Sequence, residues 1–377
     1  MTPKIALVHD WFITFAGAER VVEQILQVFP NTDVFALMDF MPAPDRDFLQ
    51  SKPVHTSFLQ TFPFLNKKNY RNFLPFMPLA IEQLDLSGYD VVITNCHAVS
   101  KGVITSPDQL HIGYIHSPMR YAWDMQNDYL AVSGLRSLKS LLARSILHYI
   151  RIWDSTAANR PDVLYGNSGF ICRRIEKIYR RKAEILYPPV NTEAFGLRAE
   201  KEDFYLAASR LVPYKRIDLI VEAFAGLPDK KLIVIGDGPE AHKLQSLNLP
   251  NVKWLGFQPN DVLRDMMQRA RAFIFAARED FGIIPLEAQA CGTPVIAFGQ
   301  GGVHETVVGL ERENPTGVFF REQTVDSLRA ALLEFERNRS RFDPFACRAN
   351  AERFSNERFR REIHEIVETS WQEFQKR

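Results

Sequence analysis

Residues 272–298 read A-F-I-F-A-A-R-E-D-F-G-I-I-P-L-E-A-Q-A-C-G-T-P-V-I-A-F. Two apolar runs of strand length enclose a segment in which Gly282 permits a tight turn and Pro285 suits the first turn of a helix. The Cys291-Gly292 pair is typical of the end of that helix. The stretch therefore predicts a strand, a helix and a second strand, which is the repeating unit of a parallel sheet.

The same alternation continues along the chain and favours a mainly parallel sheet covered by helices. Two prolines and a candidate Asx turn interrupt the periodicity at 187–195, after which it restarts. We therefore predict two doubly wound α/β domains joined near residues 187–200, followed by a charged amphipathic helix over 356–377. The predicted strands lie at 5–9, 90–95, 111–116, 204–211, 231–236, 252–256, 272–277 and 294–298, and a helix is predicted over 17–29.

Composition and charge exclude several classes of protein. The 377 residues are 46% apolar and carry a formal net charge of +1, which argues against a nucleic-acid partner. The apolar start is too short for a signal peptide and no run approaches the ~18 residues of a membrane span, so we expect a cytoplasmic protein. The widely spaced cysteines form neither a zinc spacing nor a disulfide framework. They are Cys96, Cys172, Cys291 and Cys347.

Ligands of open parallel sheets bind beyond the carboxyl ends of the strands, so the residues that follow each apolar run are the first candidates for a site. The polar and glycine residues at these positions are His9, Asp10, His116, Arg210, Gly236–Gly238 and Glu279–Gly282.

The carboxylates Glu279 and Glu287 flank a loop whose backbone amides, at 280–284, favour an anion at the start of a helix. Two carboxylates would repel a phosphate by Coulomb's law, so they are better suited to accept hydrogen bonds from hydroxyl groups. Cations for a diphosphate would come from Arg210 and Lys215, which follow another predicted strand. A ligand that combines phosphates with many hydroxyls is a nucleotide sugar.

Several motifs, in the right order, together resemble glycosyltransferase family 4, a family of retaining enzymes. The resemblance covers nearly the whole chain and is strongest over 204–318. The segment Y-I-H-S-P-M-R-Y-A-W-D at 114–124 further resembles a bacterial mannosyltransferase subgroup that builds surface polysaccharides. The family motifs are S-R-L-V-P-Y-K-R at 209–216, I-G-D-G-P-E at 235–240, V-K-W-L-G-F at 252–257, E-D-F-G-I-I-P-L-E at 279–287 and G-G-V-H-E-T-V at 301–307.

This resemblance implies a GT-B fold, in which two Rossmann-like domains face each other across a cleft and the C-terminal helix crosses back to the N-terminal domain. Applied to this sequence, it implies an acceptor domain over 1–190 with helix 356–377, and a donor domain over 200–355. It also implies a hexosyl group moved from a nucleotide-diphosphate sugar to a polysaccharide or a lipid-linked oligosaccharide. UDP-glucose and GDP-mannose both remain open as donors.

The resemblance assigns roles to particular residues. Arg210 and Lys215 neutralise the diphosphate and replace a metal ion, so no metal or other cofactor is expected. Glu287 accepts from the ribose hydroxyls, and Glu279 holds the transferred sugar. His116 contacts that sugar near its reacting carbon. Further donor contacts are implied for Gly17, Gly236, Gly238, Phe257, Gln258, Asp280, Phe281, Gly282 and Ile283, and at Gly17 the family often has a second glycine where this chain has Ala16.

Three local patterns have competing interpretations. The G-D-G-P-E-A segment at 236–241 fits a dinucleotide fingerprint, but Pro239 within it favours a turn near the donor. Asp45-Arg46-Asp47 copies a metal-binding Asp-x-Asp motif, yet it lies in a proline-rich loop and is predicted to be solvated surface. For Asp10, a site role and a role as a loop or helix cap are both open.

The basic segment 132–182 holds eleven Lys or Arg residues against three acidic ones, and cations with apolar groups also occur at 67–79. These segments fit an anionic membrane surface or a solvated basic face, and the two interpretations stay level. Two other functions also stay open: a sugar-nucleotide epimerase of the same fold, and a scaffold that binds nucleotide sugars without turning them over.

Overall fold

The computed structural model describes residues 3–126, 130 and 138–377. Contacts divide the chain into two compact units. The first contains Met1–Pro189 together with Phe359–Arg377, and the second contains Val190–Arg358. Residues 190–199, which lie within the predicted junction, group with the second unit.

The first unit contains a seven-stranded parallel sheet with the strand order β3-β2-β1-β4-β5-β6-β7. Its strands are β1 (Ile5–His9), β2 (Asp33–Ala36), β3 (Val54–Thr56), β4 (Val91–Cys96), β5 (Leu110–Ile115), β6 (Val163–Gly166) and β7 (Glu184–Ile185). Within its described residues, the α-helices are α1 (Gly17–Val28), α2 (Met77–Glu82), α3 (Leu138–Ala157) and α4 (Gly169–Tyr179).

The central strands β1, β4 and β5 are buried along their whole length, so they are mainly apolar and do not alternate with polar residues. On β1, Ile5 and Leu7 belong to one apolar layer, whereas Ala6 and Val8 belong to the layer on the opposite face. This alternation follows from the two-residue period of a strand.

The second unit contains a six-stranded parallel sheet with the order β10-β9-β8-β11-β12-β13. Its strands are β8 (Tyr205–Ala208), β9 (Leu232–Ile235), β10 (Val252–Gly256), β11 (Ala272–Phe275), β12 (Val295–Phe298) and β13 (Gly317–Phe320). Its helices are α5 (Ile217–Ala225), α6 (Ala241–Gln245), α7 (Asn260–Arg269), α8 (Ile283–Ala290), α9 (Val303–Thr306), α10 (Val325–Arg337) and α11 (Pro344–Glu352).

The last helix, α12 (Asn356–Phe374), begins in the second unit and packs with the first. Phe359, Ile363 and Val367 are buried in the apolar layer that also contains α1, and their spacing of four residues places them on one helix face. The Phe359 ring meets Tyr114 of β5 edge-on at 6.3 Å. Burial of this stripe explains why the helix leaves the second unit.

All eight predicted strands are present, with ends shifted by up to three residues, and the predicted first helix ends one residue early at Val28. The sequence reasoning missed five strands, namely β2, β3, β6, β7 and β13. Two of them, β3 and β7, have only three and two residues, too few to establish a pattern on their own.

In each sheet the order of connection reverses once, between β1 and β4 in the first unit and between β8 and β11 in the second. At such a reversal the following loops diverge to opposite sides and leave a crevice at the carboxyl ends of the strands. These two crevices are the expected positions of the site residues that the sequence predicts.

Candidate functional site

In the second unit, the reversal point brings together the two segments that the sequence singled out. Arg210 and Lys215 follow β8, and Glu279 follows β11, which is the neighbouring strand. Lys215 Nζ donates to Glu279 Oε1, and both side chains are 21% exposed. Arg210 is exposed, and no ion pair of its guanidinium with any described residue is present. The site thus holds one paired and one unpaired cation.

The backbone of the Glu279 loop is fixed by a second loop that follows β12. The Gly302 amide donates to the Glu279 carbonyl at 2.9 Å, and Glu279 forms an isolated parallel bridge with Gly301. A Cβ atom on Gly301 would lie 2.2 Å from the Glu279 carbonyl oxygen, and the residue has φ +89°. Only glycine tolerates both constraints, so the loop holds Glu279 in place through its backbone.

Helix α8 begins immediately after this loop. Gly282 precedes its first residue, Ile283, with φ 91°, a left-handed conformation that glycine adopts readily. Phe281 is buried and packs against Phe354 at a ring distance of 5.6 Å. The Phe281 side chain is therefore anchored in the core of the second unit, and it holds the backbone amides at the start of α8 in place.

Glu287 is the fifth residue of α8, just beyond its first turn, and is 6% exposed. Helix α8 begins only at Ile283, because Gly282 in the left-handed region ends the preceding loop. Asp280, in contrast, is half-buried in the loop.

The ends of β9 and β10 carry the remaining predicted donor contacts of this unit. Gly236 and Gly238 have positive φ values, and a Cβ atom would lie 1.8 Å from Ser209 O at the first and 2.4 Å from Leu211 O at the second. This segment is therefore a tight turn against the loop that carries Arg210. The helix that follows, α6, has only five residues.

Phe257 and Gln258 lie in the loop after β10. Phe257 is 78% exposed. Gln258 Nε2 donates to the Leu255 carbonyl at 2.6 Å, so its amide side chain closes the turn on which Phe257 sits. An exposed phenyl ring on a fixed turn offers a flat apolar surface to a ligand.

In the first unit, His116 follows β5 and is tied to the end of β4. Its Nε2 lies 2.6 Å from Asn95 Oδ1. Asn95 Nδ2 donates to the Ala18 carbonyl at 2.9 Å, which leaves Oδ1 as the atom facing the imidazole. His116 must therefore donate from Nε2, and its Nδ1 keeps a free lone pair. Burial, reinforced by the positive charges of His97 and His9, lowers the pKa of His116 well below its ordinary value.

The Asn95 side chain connects this histidine to β1 and α1. His9 is fully buried beside Asn95, its Cα partner in the sheet, and its Nε2 lies 3.4 Å from Glu19 Oε1. Burial alone would lower the pKa of His9, but the hydrogen bond and the charge of Glu19 raise it above its usual value. The sequence reasoning assigned no role to Asn95 or Glu19, although Asn95 ends an apolar run and meets the criterion used for His116.

The structure decides between the two interpretations of Asp10. Its carboxylate is fully buried and accepts hydrogen bonds from the four consecutive backbone amides of residues 97–100, at 2.6 to 2.9 Å. Burial raises the pKa of this carboxyl, but the nearby histidines and the backbone donors lower it overall. All four lone-pair positions of the carboxylate are used, so Asp10 caps the loop after β4.

Gly17 is the first residue of α1 and lies beside this network. Ala16 precedes it, and the Ala16 amide donates to Glu19 Oε2 at 2.9 Å, which closes the first turn of the helix. The loop before α1 is therefore held by the same carboxylate that pairs with His9.

Asp45 and Asp47 are both exposed, as the sequence predicted, and Arg46 between them pairs with Asp39 at 2.6 Å. Within residues 3–126, 130 and 138–377, no three His, Cys, Asp or Glu side chains are grouped so as to hold a metal ion. A search of the helices in that same part of the chain finds none with the length and hydropathy of a membrane span.

Residues 175–354 match the family described as glycosyl transferases group 1. This region of the chain is therefore similar to the glycosyl transferases of group 1. An uncharacterized glycosyltransferase of Methanocaldococcus jannaschii is 24% identical over 255 residues, which are 65% of this chain and 71% of that protein. The GDP-mannose-dependent alpha-(1-6)-phosphatidylinositol monomannoside mannosyltransferase of Mycobacterium tuberculosis is 30% identical over 231 residues, 53% of this chain. The matched region spans 57% of that relative's length.

The architecture is shared with solved structures over almost the full length. HepE from Anabaena, crystallised in complex with UDP, superposes with a TM-score of 0.68 at 18% identity, covering 97% of this chain and all of HepE. This likeness confirms the predicted GT-B fold. The structural likeness shows the fold, and the family match shows that residues 175–354 are similar to glycosyl transferases of group 1.

Proposed function

We propose that this protein is a retaining, metal-independent glycosyltransferase that moves a hexosyl group from a nucleotide-diphosphate sugar to a polysaccharide or a lipid-linked oligosaccharide. The observation that carries the proposal is the meeting of Lys215 and Glu279 at the reversal point of the second sheet, with Arg210 exposed beside the same strand end. The two cations, Arg210 and Lys215, match the diphosphate of such a donor. The Glu279 carboxylate matches its hydroxyl groups.

The charge of the transition state explains the need for both cations. Breaking the anomeric bond puts additional negative charge on the departing diphosphate and positive charge on the sugar ring. Arg210 and Lys215 stabilise the diphosphate charge, and preorganised groups of this kind contribute most to catalysis. In the structure Lys215 is held by Glu279, so it is positioned before a donor arrives.

The remaining donor contacts follow from the same crevice. Glu279 and the amides of Phe281 and Gly282 bind the transferred sugar, and Glu287 accepts from the ribose. For His116, in the first unit, the resemblance to family 4 supports a contact with the sugar near its reacting carbon. With retention of configuration, an oxygen of the leaving phosphate takes the acceptor's proton on the same face, so no side-chain base is required.

Two donors are proposed on different grounds. GDP-mannose is supported by the relative from Mycobacterium tuberculosis, which is described as GDP-mannose-dependent, and by the motif at 114–124. UDP-glucose is supported by HepE from Anabaena, which was crystallised with UDP-glucose. A thermal-shift screen with UDP- and GDP-sugars distinguishes them, because a ligand that binds only the native state raises the unfolding temperature.

Nucleotide release and acceptor elongation, measured with each donor in the presence and absence of EDTA, test the proposed reaction. We expect turnover that EDTA does not change, and a product whose anomeric configuration, assigned by NMR, matches that of the donor. Conversion of the donor sugar without an acceptor would indicate an epimerase. Tight donor binding without turnover on any acceptor would indicate a scaffold.

A matched pair of variants tests the role of the cations. Lys215→Met removes the ion pair with Glu279, and Lys230→Met removes an ion pair of nearly equal exposure, with Glu336 at 3.0 Å, away from the crevice. We expect Lys215→Met to lower kcat about 10²–10³-fold, the usual effect of losing one stabilising group, and Lys230→Met to leave it unchanged. Full activity in an Arg210→Ala/Lys215→Ala enzyme would refute the mechanism.

We further propose that the protein works at the cytoplasmic face of an anionic membrane. Apolar rings project from the first unit beside Lys67 and Lys68: Phe62 is 41%, Phe64 88% and Phe76 49% exposed. On α3, Leu141 and Leu142 are each 61% exposed within the basic segment 132–182, of which residues 132–137 lie outside the described part. Exposed apolar groups next to cations suit a bilayer interface.

Flotation with vesicles tests the membrane proposal. We expect binding to vesicles that contain phosphatidylglycerol, weaker binding to vesicles of phosphatidylcholine alone, and a loss in the Phe62→Ser/Phe64→Ser variant. Phe345→Ser, which changes a 62% exposed ring of the second unit, is the control and should not affect flotation. Equal flotation of all three proteins would show that these rings do not contact lipid.

A further inference from the structure

Arg216 has an unusual backbone conformation next to a residue of the site. It directly follows Lys215 and connects the 3₁₀ turn at Pro213–Lys215 to helix α5, with φ 55° and ψ 38°. This left-handed region favours glycine and is unfavourable for a residue that carries a Cβ atom. A residue that keeps such a conformation is held there by its surroundings, and such residues cluster at functional sites.

The Arg216 guanidinium is fixed by partners on two different elements. Its Nε lies 3.2 and 3.3 Å from the two carboxylate oxygens of Asp218, in the first turn of α5. Its Nη1 donates to Gln323 Oε1 at 3.4 Å, across a sequence separation of 107 residues. Asp218 therefore balances the charge of the guanidinium, and Gln323, in the loop between β13 and α10, ties it to a distant part of the second unit.

Gln323 continues this connection to the other strand end of the site. Its Nε2 donates at 2.8 Å to the carbonyl of Ala276, which is buried and is the first residue after β11. The amide group thus uses its oxygen towards the loop after β8 and its NH₂ group towards the loop after β11. Glu279 lies three residues beyond Ala276 in the second of these loops. One side chain therefore joins the loop that carries Lys215 to the loop that carries Glu279.

The two loops are linked twice. The first link is the ion pair of Lys215 with Glu279, and the second runs from Arg216 through Gln323 to Ala276. In the proposed reaction the donor competes for both members of the first link, because Lys215 binds the diphosphate and Glu279 binds the transferred sugar. The second link uses none of the groups assigned to the donor, so it stays intact when the donor is bound.

We propose that Arg216 and Gln323 are positioning residues, which hold Lys215 and Glu279 at a fixed separation while the donor is bound. This inference rests on the proposed transfer reaction, because it assigns further residues to the same site. Neither side chain contacts the donor in this assignment, and each acts through the backbone of a loop. Arginine is retained at a position that favours glycine because only its guanidinium makes the connection to Gln323.

Kinetic measurements on the full chain test this assignment. Arg216→Gly removes the guanidinium and relieves the left-handed backbone, so kcat should fall about ten- to a hundredfold while the midpoint of urea unfolding changes little. Gln323→Leu should give the same loss of kcat without a change of charge. The donor dissociation constant should change less than about threefold, because Arg210 and Lys215 are still present. Asn248→Gly, at another exposed left-handed position of the second unit with φ 44°, is the control and should keep its kcat.

Two further variants separate a link between the loops from independent local effects. Arg216→Gly/Gln323→Leu breaks the same link twice, so it should lose no more kcat than either single variant. Gln323→Glu keeps an acceptor for Arg216 but has no donor for the Ala276 carbonyl, and it should lose as much kcat as Gln323→Leu. Losses that multiply in the double variant, full activity of Gln323→Glu, or wild-type kcat in both single variants would overturn the proposal.

Hydrogen–deuterium exchange separates this proposal from the proposed function, because it needs no turnover. With and without UDP or GDP, the backbone amides of 277–283 should exchange faster in Arg216→Gly and Gln323→Leu than in the wild type and in Asn248→Gly. If the wild type turns over neither GDP-mannose nor UDP-glucose, the proposed function fails, and the exchange rates still decide whether the link holds the Glu279 loop. If the wild type turns over a donor and both variants keep its kcat and exchange rates, the link fails and the transfer reaction stands.

Discussion

Replacement of Asp10 should destabilise the first unit far more than a typical substitution of a single polar residue. The carboxylate is fully buried and accepts from all four backbone amides of residues 97–100. Asp10→Ala leaves these four N–H groups without their acceptor. Asp10→Asn leaves one oxygen for four donors and turns an NH₂ group towards them, so the shape is kept but the hydrogen bonding is not.

The magnitude follows from the count of donors. Each buried donor left unpaired costs about 1–3 kcal/mol, so four give roughly 4–12 kcal/mol. Water can enter the space that the carboxylate vacates, so we expect the lower end for Asp10→Ala, about 4 kcal/mol. Asp10→Asn, which keeps two acceptor positions on its oxygen, should lose about 2–5 kcal/mol. Either value is a large fraction of the stability of an ordinary domain.

Urea unfolding followed by tryptophan fluorescence measures this loss in the first unit alone. Four of the five tryptophans, Trp11, Trp123, Trp153 and Trp371, belong to that unit, so a Trp254→Phe background removes the signal of the second unit. This matters because a protein of two units need not unfold in one step. The fluorescence midpoint then reports the unit that contains Asp10.

Asp85→Ala is the control for this experiment. The Asp85 carboxylate also accepts from a backbone amide, that of Ser87 at 3.0 Å, and from the Ser87 hydroxyl at 2.7 Å, but it is exposed to solvent. Water replaces both partners there, so we expect a much smaller loss of stability than for Asp10→Ala. A loss of similar size for Asp10→Ala would show that the four amides do not depend on this carboxylate.

Four further predictions concern the site residues. Gly236→Ala should destabilise the second unit by several kcal/mol, because the new Cβ would lie 1.8 Å from a carbonyl oxygen; an unchanged urea midpoint would contradict the observed turn. Asn95→Ala releases His116 from its 2.6 Å contact and should lower kcat about tenfold without changing donor affinity, whereas a selective change in the thermal shift with donor would contradict a positioning role. The pKa of His116 lies below its unfolded value, so stability should fall as the pH drops below about 6.5, and His116→Gln should make this decline shallower. The pKa of His9 is raised in the folded protein. His9 therefore contributes stability that is present at low pH and is lost as the pH rises through this raised, folded-state pKa.

Strand ends illustrate how far sequence reasoning reached. The apolar runs identified β1, β4, β5, β8, β9, β10, β11 and β12, and the rule that ligands bind after parallel strands selected Arg210, His116 and Glu279. The same rule would have selected Asn95. The role of Asn95, however, depends on the pairing of β1 with β4, which places it directly beside His9 and which the sequence does not show.

Asp10 is a residue whose role the sequence left undecided. A buried aspartate after a strand is equally compatible with a ligand contact and with a cap. Its four amide donors lie 87 to 90 residues away in the chain, and no local pattern indicates such a pairing.

The sequence alone determined the class of the fold, two doubly wound sheets, and the chemical types at the strand ends, because apolar periodicity and glycine or proline turns are local properties of the chain. Only the tertiary structure decided which of those side chains pair with each other, as Lys215 does with Glu279 and Asp10 with the loop after β4. The physical reason is that strand order and register set the distances between residues far apart in sequence. Hydrogen bonds and ion pairs depend on those distances to within an ångström.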